Sequence, residues 1–389
     1  MDTVYIYISP YDILRPRTNQ VSDVRFCDGF IQNNRKIHLI VPYVDRPDNI
    51  SKAKVFENYG ISDQLEIHYL NTNFKSDVKG KFNFLKIALL NFFQIRKIIK
   101  SQKNNYILIS RSVFILLPLM ILKPLLGKNI KLTYWAHDFK KKKIFEQTYL
   151  RCDRIIATNS SIIKSIHQLT KYPLNKTIIS SNPITQQQVD DFIDKTTART
   201  HIGRSLSENL IVYTGKLAID YNLEVEYILK AAKQLPIYVF IFTGGKPIAV
   251  EYWTNWCKEN GINNIEFTGY IHNYQKIKYY QFAADILLSY YTIQGHDVNY
   301  NFPNKICEYM LTGNPIITPN YPATQDILNE RNCYFVMPEN EDDLAKKIKM
   351  AIENVEKSTN IAKQARLDVK KNTFKIRVSS IINFLESNE

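Results

Sequence analysis

Two α/β domains, each built on a doubly wound parallel sheet, are predicted for this chain. Three observations carry that expectation. The chain has 389 residues, too many for one ordinary hydrophobic core. Apolar strand-like runs alternate with helical stretches, and the alternation starts afresh after a polar stretch from Thr185 to Ser205. Hydrophobic residues make up 45% and charged residues 23%, a balance that belongs to globular and not disordered proteins.

In the first half, VYIYIS, KIHLIV, YILIS and IKLTYW read as strands of one sheet, and DRIIATNS and KTIISSNPI continue it. The opening MDTVYIYISP alternates like a strand and lacks the basic region, apolar stretch and small-residue cleavage site of a signal peptide, so a cytoplasmic location is expected. The apolar run Val113–Leu126 is interrupted by Pro118, Lys123 and Pro124 and is shorter than the ~20 residues a bilayer needs, which makes it a buried helix. Between Phe82 and Lys103, Phe84, Leu85, Ala88, Leu89, Phe92, Ile95, Ile98 and Ile99 recur at helical spacing beside Lys81, Lys86, Arg96, Lys97 and Lys100. Two readings of residues 81–103 stay open: a domain helix with solvated lysines, or a basic amphipathic helix lying on the anionic inner face of the plasma membrane, each basic group adding ~1 kcal/mol.

Thr185–Ser205 reads as a connector, placing the first domain at 1–185 and the second at 186–373. The second sheet follows as LIVYTG, YVFIFTGG, IEFTGY, ADILLSY and NPIITPN. Phe374, Val378, Ile381, Ile382 and Leu385 then mark one face of a final helix, 374–389.

The excess of 51 Lys and Arg over 37 Asp and Glu gives a formal charge of +14 and favours an anionic partner. Nucleic acid is the weaker reading, because the lysines and the 25 tyrosines are dispersed and no reading motif is present. Cys27, Cys152, Cys257, Cys307 and Cys333 are five, far apart and without zinc-ligand spacing, so they are expected to be reduced thiols.

Ligands of doubly wound sheets sit beyond the carboxyl ends of the strands. There Thr214-Gly215-Lys216 offers a tight turn and a lysine able to meet a diphosphate. Thr243-Gly244-Gly245-Lys246 and Thr268-Gly269-Tyr270 are weaker signals of the same kind. The most informative segment is NFPNKICEYMLTGNPII, residues 301–317, a short helix entered through Pro303 and closed by Gly313. Its start favours phosphate through backbone N–H groups and the helix dipole. Asn304 and Glu308 share a face, and a lone acid there suits a ribose diol, although an exposed Glu beside Lys305 is the plain alternative.

PNKICEYMLTGNPIIT resembles the donor-site segment of retaining GT-B glycosyltransferases of the large family four (glycosyl transferases group 1), and ADILLSYYTIQGHDVNYN is similar to the strand and loop leading into it. YTGKLAIDYNLE resembles the family's diphosphate loop, FTGY falls where the nucleobase loop lies, and WAHDF is similar to the stretch carrying a histidine near the donor sugar, here His137. Order and spacing agree over roughly residues 209–350 and more loosely before that.

The resemblance implies the GT-B fold: two Rossmann-like domains facing across a cleft, with the final helix returning to the first. It implies hexosyl transfer from a nucleotide-diphosphate sugar to a glycan or lipid-linked acceptor, with retention, without metal, in building bacterial surface polysaccharide. Glu308 would bind ribose; Lys216, Asn304 and Lys305 would face the diphosphate; Gly215, Gly244, Tyr270 and Pro303 would complete the donor site; and His137 would orient the sugar. The sequence departs from the family at Tyr300, where a second acid is usual, at Asp220 and Tyr221, where a basic residue is common, and in the loop after the first strand. That loop supplies Arg15, Arg17 and Asn19, which with Asp138 are candidates for the acceptor side. A nucleotide-sugar epimerase, a phosphorylase or a silent scaffold of the same fold remain alternatives.

Overall fold

The computed structural model describes all residues except 1, 16–17, 45–48, 72–80, 100–103, 220–222, 295–296 and 388–389, and the backbone alone at 81–85 and 274. The chain divides into two compact units, Met1–Ser180 with Phe374–Glu389, and Ser181–Thr373.

The first unit contains β1 (Thr3–Ile8), α1 (Thr18–Ile31), β2 (Ile37–Tyr43), α2 (Val55–Tyr59), β3 (Glu66–Asn71), α3 (Lys81–Ile98), β4 (Asn105–Ser110), α4 (Val113–Leu126), β5 (Ile130–Ala136), α5 (Lys143–Arg151), β6 (Arg154–Ala157), α6 (Ser160–Thr170) and β7 (Thr177–Ile179). Its sheet runs β3-β2-β1-β4-β5-β6-β7, all parallel. Such strands are buried on both faces, and β1, β4 and β6 are accordingly near-continuous apolar runs. The strand order reverses between β1 and β4, so their carboxyl ends, Ser9 and Ser110–Arg111, mark a natural binding crevice.

The second unit contains α7 (Gln186–Asp190), α8 (Lys195–His201), β8 (Leu210–Thr214), α9 (Glu224–Lys233), β9 (Val239–Thr243), α10 (Pro247–Glu259), β10 (Ile265–Gly269), α11 (Tyr274–Ala283), β11 (Ile286–Leu288), α12 (Lys305–Thr312), β12 (Ile316–Pro319), β13 (Tyr334–Val336), α13 (Glu341–Glu353) and α14 (Val355–Lys370). Its parallel sheet runs β10-β9-β8-β11-β12-β13, with the reversal between β8 and β11.

The division falls at Ser180–Ser181 for a local reason. The Ile184 N–H donates to the Asn372 carbonyl at 3.0 Å, and the Asn182 carbonyl accepts from Asn372 Nδ2 at 3.1 Å and Cys307 Sγ at 3.3 Å, which ties residues 182–184 to the second unit. Thr185–Ser205 is not an irregular connector. Thr185 caps α7 with a reciprocal capping box, Asp194 caps α8, and Arg199, 1% exposed, donates to the Ala283 carbonyl and to Asp285 at 2.6 Å. Few large apolar residues were needed because a buried, fully bonded guanidinium fixes the segment.

The last helix, α15 (Phe374–Glu386), packs on α1 of the first unit, burying Phe374, Val378, Ile381, Ile382 and Leu385. Arg35 clasps Glu386 with Nε at 3.0 Å and Nη2 at 3.1 Å, and Tyr5 Oη donates to the same carboxylate at 2.9 Å. The Val113–Leu126 run forms α4 but is not buried all round: Phe114, Ile121 and Leu125 are exposed. Among the described residues no helix is long and apolar enough to cross a membrane.

The α1–α15 contact is close at Gly29, where a Cβ would lie 2.6 Å from Val378 Cγ2 and 3.2 Å from the Phe374 carbonyl oxygen. Gly29→Val is therefore expected to lower stability by about 1–3 kcal/mol through overpacking. A urea denaturation curve checks this, and an unchanged midpoint contradicts it.

Candidate functional site

In the second unit the glycine turns that end β8, β9 and β10 meet. The Gly215 N–H donates to the Thr243 carbonyl at 2.9 Å, and the Gly244 N–H donates to the Gly269 carbonyl at 2.9 Å. Gly244 has φ of +120°, and a Cβ there would fall onto the Gly215 carbonyl oxygen, so no other residue fits this edge without moving the backbone. The result is a rim of bare backbone beyond the carboxyl ends of three strands.

Helix α12 is pinned to that rim from the other side of the strand-order reversal. Tyr309 Oη accepts from the Thr214 N–H at 2.9 Å and lies 2.8 Å from Thr214 Oγ1. One turn earlier, Lys305 Nζ donates to the Thr214 carbonyl at 3.1 Å and lies 4.0 Å from the Tyr213 ring centroid and 4.7 Å from that of Tyr291. Residues 305 and 309 are on one helix face by their spacing of four, which is why one strand end holds both.

The ammonium of Lys305 is enclosed although the residue as a whole is only half-buried. Desolvation pulls its pKa down to about 7, and the fields of Glu224 and Glu308 oppose that shift. Glu224, at the start of α9, is 1% exposed and accepts from Tyr213 Oη at 3.4 Å. Glu308 is half-buried, and its Oε2 accepts from Gln281 Nε2 of α11 at 3.3 Å. The cluster thus places a cation whose charge water does not solvate beside the glycine rim and near a carboxylate able to accept hydroxyls.

The other residues singled out from the sequence are placed as follows. Lys216 is exposed directly after Gly215. The helix begins at Lys305, so Pro303 precedes it and its carbonyl accepts from the Ile306 N–H at 3.1 Å. Asn304 occupies the cap position without a capping bond; its Oδ1 accepts from Asn182 Nδ2 at 2.5 Å. Its side-chain oxygen is therefore engaged with the segment entering the unit. Tyr270 is 66% exposed beyond β10, edge-on to His272, and Tyr300 is half-buried in a turn whose N–H donates to the Asp297 carbonyl at 3.1 Å.

In the first unit the reversal point holds a buried ion pair. Arg111 Nη1 lies 3.1 Å from Asp23 Oδ1, Ser9 Oγ donates to Asp23 Oδ2 at 2.7 Å, and the Arg111 guanidinium sits 5.7 Å from the Tyr11 ring and 5.9 Å from that of Trp135. His137 follows β5; its ring is 4.5 Å from Trp135, and its buried Nε2 has no hydrogen-bond partner among the described residues. Burial, and then the Arg111 charge, hold its pKa well below the usual range, so the imidazole is neutral at pH 7. Asp138 pairs with Lys140 at 2.9 Å, Asn19 is exposed and donates to Tyr11 Oη at 3.4 Å, Arg15 is half-buried, and Arg17 lies outside the described residues. Asp23, Arg111, Gln281 and Tyr291 were not singled out from the sequence. For Arg111 a signal was available, its position just past YILIS, the strand at the reversal.

Residues 208–354, within the second unit, match the family model described as Glycosyl transferases group 1. No curated protein sequence matches the chain. Among solved structures the chain is similar to Alr3699/HepE of Anabaena in complex with UDP, at 14% identity over 99% of each chain with a TM-score of 0.70. It is similar to a glycosyltransferase from Rickettsia africae ESF-5, at 14% identity over 100% of this chain and 99% of that one with a TM-score of 0.74. It also resembles the lipopolysaccharide outer core galactosyltransferase WaaB, at 15% identity over 98% and 99% of the two chains with a TM-score of 0.69. These likenesses establish the fold as GT-B, with two Rossmann-like units.

Two outcomes follow from the geometry. Gly244→Ala should cost about 1–3 kcal/mol for the backbone conformation alone, plus the collision with Gly215, seen as a lowered Tm. For Lys305 the folded pKa of about 7 lies below the unfolded value of about 10.4, so the unfolded chain binds the extra proton between those values and stability rises with pH across that window. Lys305→Met should accordingly raise Tm at pH 7, and the gain should shrink as pH is raised; a loss of stability at pH 7 contradicts the assignment.

Proposed function

We propose that this protein is a glycosyltransferase that takes a sugar from a nucleoside-diphosphate donor bound in the second unit. The observation that carries the reading is Lys305, a desolvated cation at the strand-order reversal, beside a glycine rim and one turn from a half-buried carboxylate. The group 1 match over residues 208–354 and the UDP in the Anabaena complex support the same class of ligand.

On this reading the diphosphate lies against the Gly215 rim, Lys305 and Lys216 neutralise the leaving group as the glycosidic bond breaks, and Glu308 accepts the ribose hydroxyls. Asn304, its Oδ1 engaged with Asn182, stands at the start of the same helix and faces the diphosphate with its amide N–H groups. His137, neutral with an enclosed nitrogen, suits hydrogen bonding to a sugar hydroxyl and not proton donation at pH 7. Transfer with retention, to a glycan or lipid-linked acceptor of a bacterial surface polysaccharide, is the form of the reaction we favour, in line with the WaaB likeness.

The test is calorimetric titration with UDP, GDP and dTDP, followed by nucleotide release from the matching sugar donors. One nucleoside diphosphate should bind, and Glu308→Ala should weaken it by about 1.5–3 kcal/mol through the lost charged hydrogen bonds. No binding by any of them, or an unchanged affinity in Glu308→Ala, contradicts the proposal. A bound diphosphate raises the Lys305 pKa again, so affinity should be greatest below pH 7 and fall as pH rises above it, with proton uptake on binding. Lys305→Met should weaken binding and flatten this dependence.

A peripheral membrane contact fits α3. Lys86, Leu89, Phe93, Arg96 and Lys97 form one exposed stripe at spacings of three and four, and α4, packed against α3, exposes Phe114, Ile121 and Leu125. Co-sedimentation should retain the protein on vesicles rich in phosphatidylglycerol and not on neutral ones, and Phe93→Glu should release it. Equal behaviour on both vesicle types contradicts the contact.

A further inference from the structure

Far from the carboxyl edge, near the amino ends of β2 and β3, three side chains converge on one point. The parallel register sets His38 of β2 opposite Glu66 of β3 and Ile40 opposite His68, so His38, Glu66 and His68 project from the same face of the sheet. His38 Nδ1 is 3.0 Å from Glu66 Oε2 and 3.1 Å from His68 Nε2, and all three ligand atoms lie within 4.8 Å of one another. Gln94 of α3 covers the group, its side-chain amide 3.0 Å from His68 Nδ1. Lys36 Nζ holds the other carboxylate oxygen, Glu66 Oε1, at 3.0 Å.

The hydrogen-bond arithmetic of this cluster is poor without a cation. His38 Nδ1 carries at most one proton, yet it faces both a carboxylate oxygen and the His68 ring nitrogen. A divalent ion serves all three atoms at once. The two separations from His38 Nδ1 suit one: metal–ligand bonds of about 2.0–2.1 Å give ligand–ligand distances between about 2.9 Å, for ligands at right angles, and about 3.4 Å, for a tetrahedron. Amide oxygen and nitrogen are interchangeable by rotation, so Gln94 can present its oxygen to His68 Nδ1–H, which leaves Nε2 as the lone-pair donor. That is the second-shell arrangement of metal-bound histidines.

We propose that His38, Glu66 and His68 bind one divalent transition-metal ion of the zinc type, which fastens the edge strand β3 to β2 beneath α3. The site is structural, because it lies near the amino ends of β2 and β3, whereas ligands of such sheets sit beyond the carboxyl ends. It does not depend on the transferase reading. Cys and His spacing did not reveal it because the ligands come from neighbouring strands, which the chain reaches only through their register.

The test uses the full chain stripped with chelator and titrated with cobalt chloride, then zinc chloride. One equivalent of Co²⁺ should bind with the visible ligand-field bands of a four- or five-coordinate ion, zinc should displace it, and zinc should raise Tm by several degrees. Glu66→Gln, at a half-exposed position that leaves the fold intact, and His68→Gln should each remove stoichiometric binding, and Gln94→Ala should weaken it about 10- to 100-fold. Absence of one-equivalent binding by the native chain, or binding unchanged in Glu66→Gln with its circular dichroism intact, overturns the proposal.

Discussion

A lysine ammonium lodged against a backbone carbonyl and two tyrosine rings, where the strand order reverses, is the contact around which the second unit is arranged. Lys305 and Tyr309 both anchor on Thr214, so the position of α12 relative to β8 is fixed twice within one helical turn. Glu308 and Gln281 inherit their positions from that anchoring. An ordinary surface lysine would choose water. This one is kept out of it by Tyr213, Tyr291 and the packing of Ile306, Tyr309 and Met310, each 0% exposed. The fold thereby holds this lysine in a state that costs stability.

The first unit treats the equivalent place differently. Arg111 directly follows β4, the strand beyond the reversal, and its charge is matched by Asp23 at 3.1 Å within a buried pair. Removing one partner of such a pair costs about 3–5 kcal/mol, so it acts as a fixed part of the architecture. Lys305 has a neutral carbonyl as its hydrogen-bond acceptor and feels Glu224 and Glu308 only as fields. In the first unit His137, whose ring lies beside Trp135, is held neutral by burial and by the Arg111 charge.

The architecture was readable because buried parallel strands must be continuous apolar runs, and VYIYI, YILIS, LIVYT and VFIFT are such runs. The short helix carrying Lys305 and Glu308 was readable because Pro303 and Gly313 bracket it and its apolar residues fall at helical spacing. What escaped were properties of partners brought in from elsewhere in the chain. Nothing local says that Asn304 meets Asn182, that Arg199 turns a polar stretch into two packed helices, or that Ser9, Asp23 and Arg111 form one network. Register has the same effect: His38 and Glu66 look unrelated until β2 and β3 are laid side by side. The glycine signals were undervalued for a related reason, since Gly244 is required by the carbonyl of Gly215 and not by its own turn alone.

The most direct measurement is a crystal structure of the chain with its preferred nucleoside diphosphate bound. The account predicts the phosphates against the amides of the Gly215 turn and the Nζ of Lys305, with Glu308 on the ribose and the ammonium drawn off the Thr214 carbonyl. Phosphates seated anywhere else, with the Lys305–Thr214 hydrogen bond undisturbed, would contradict it.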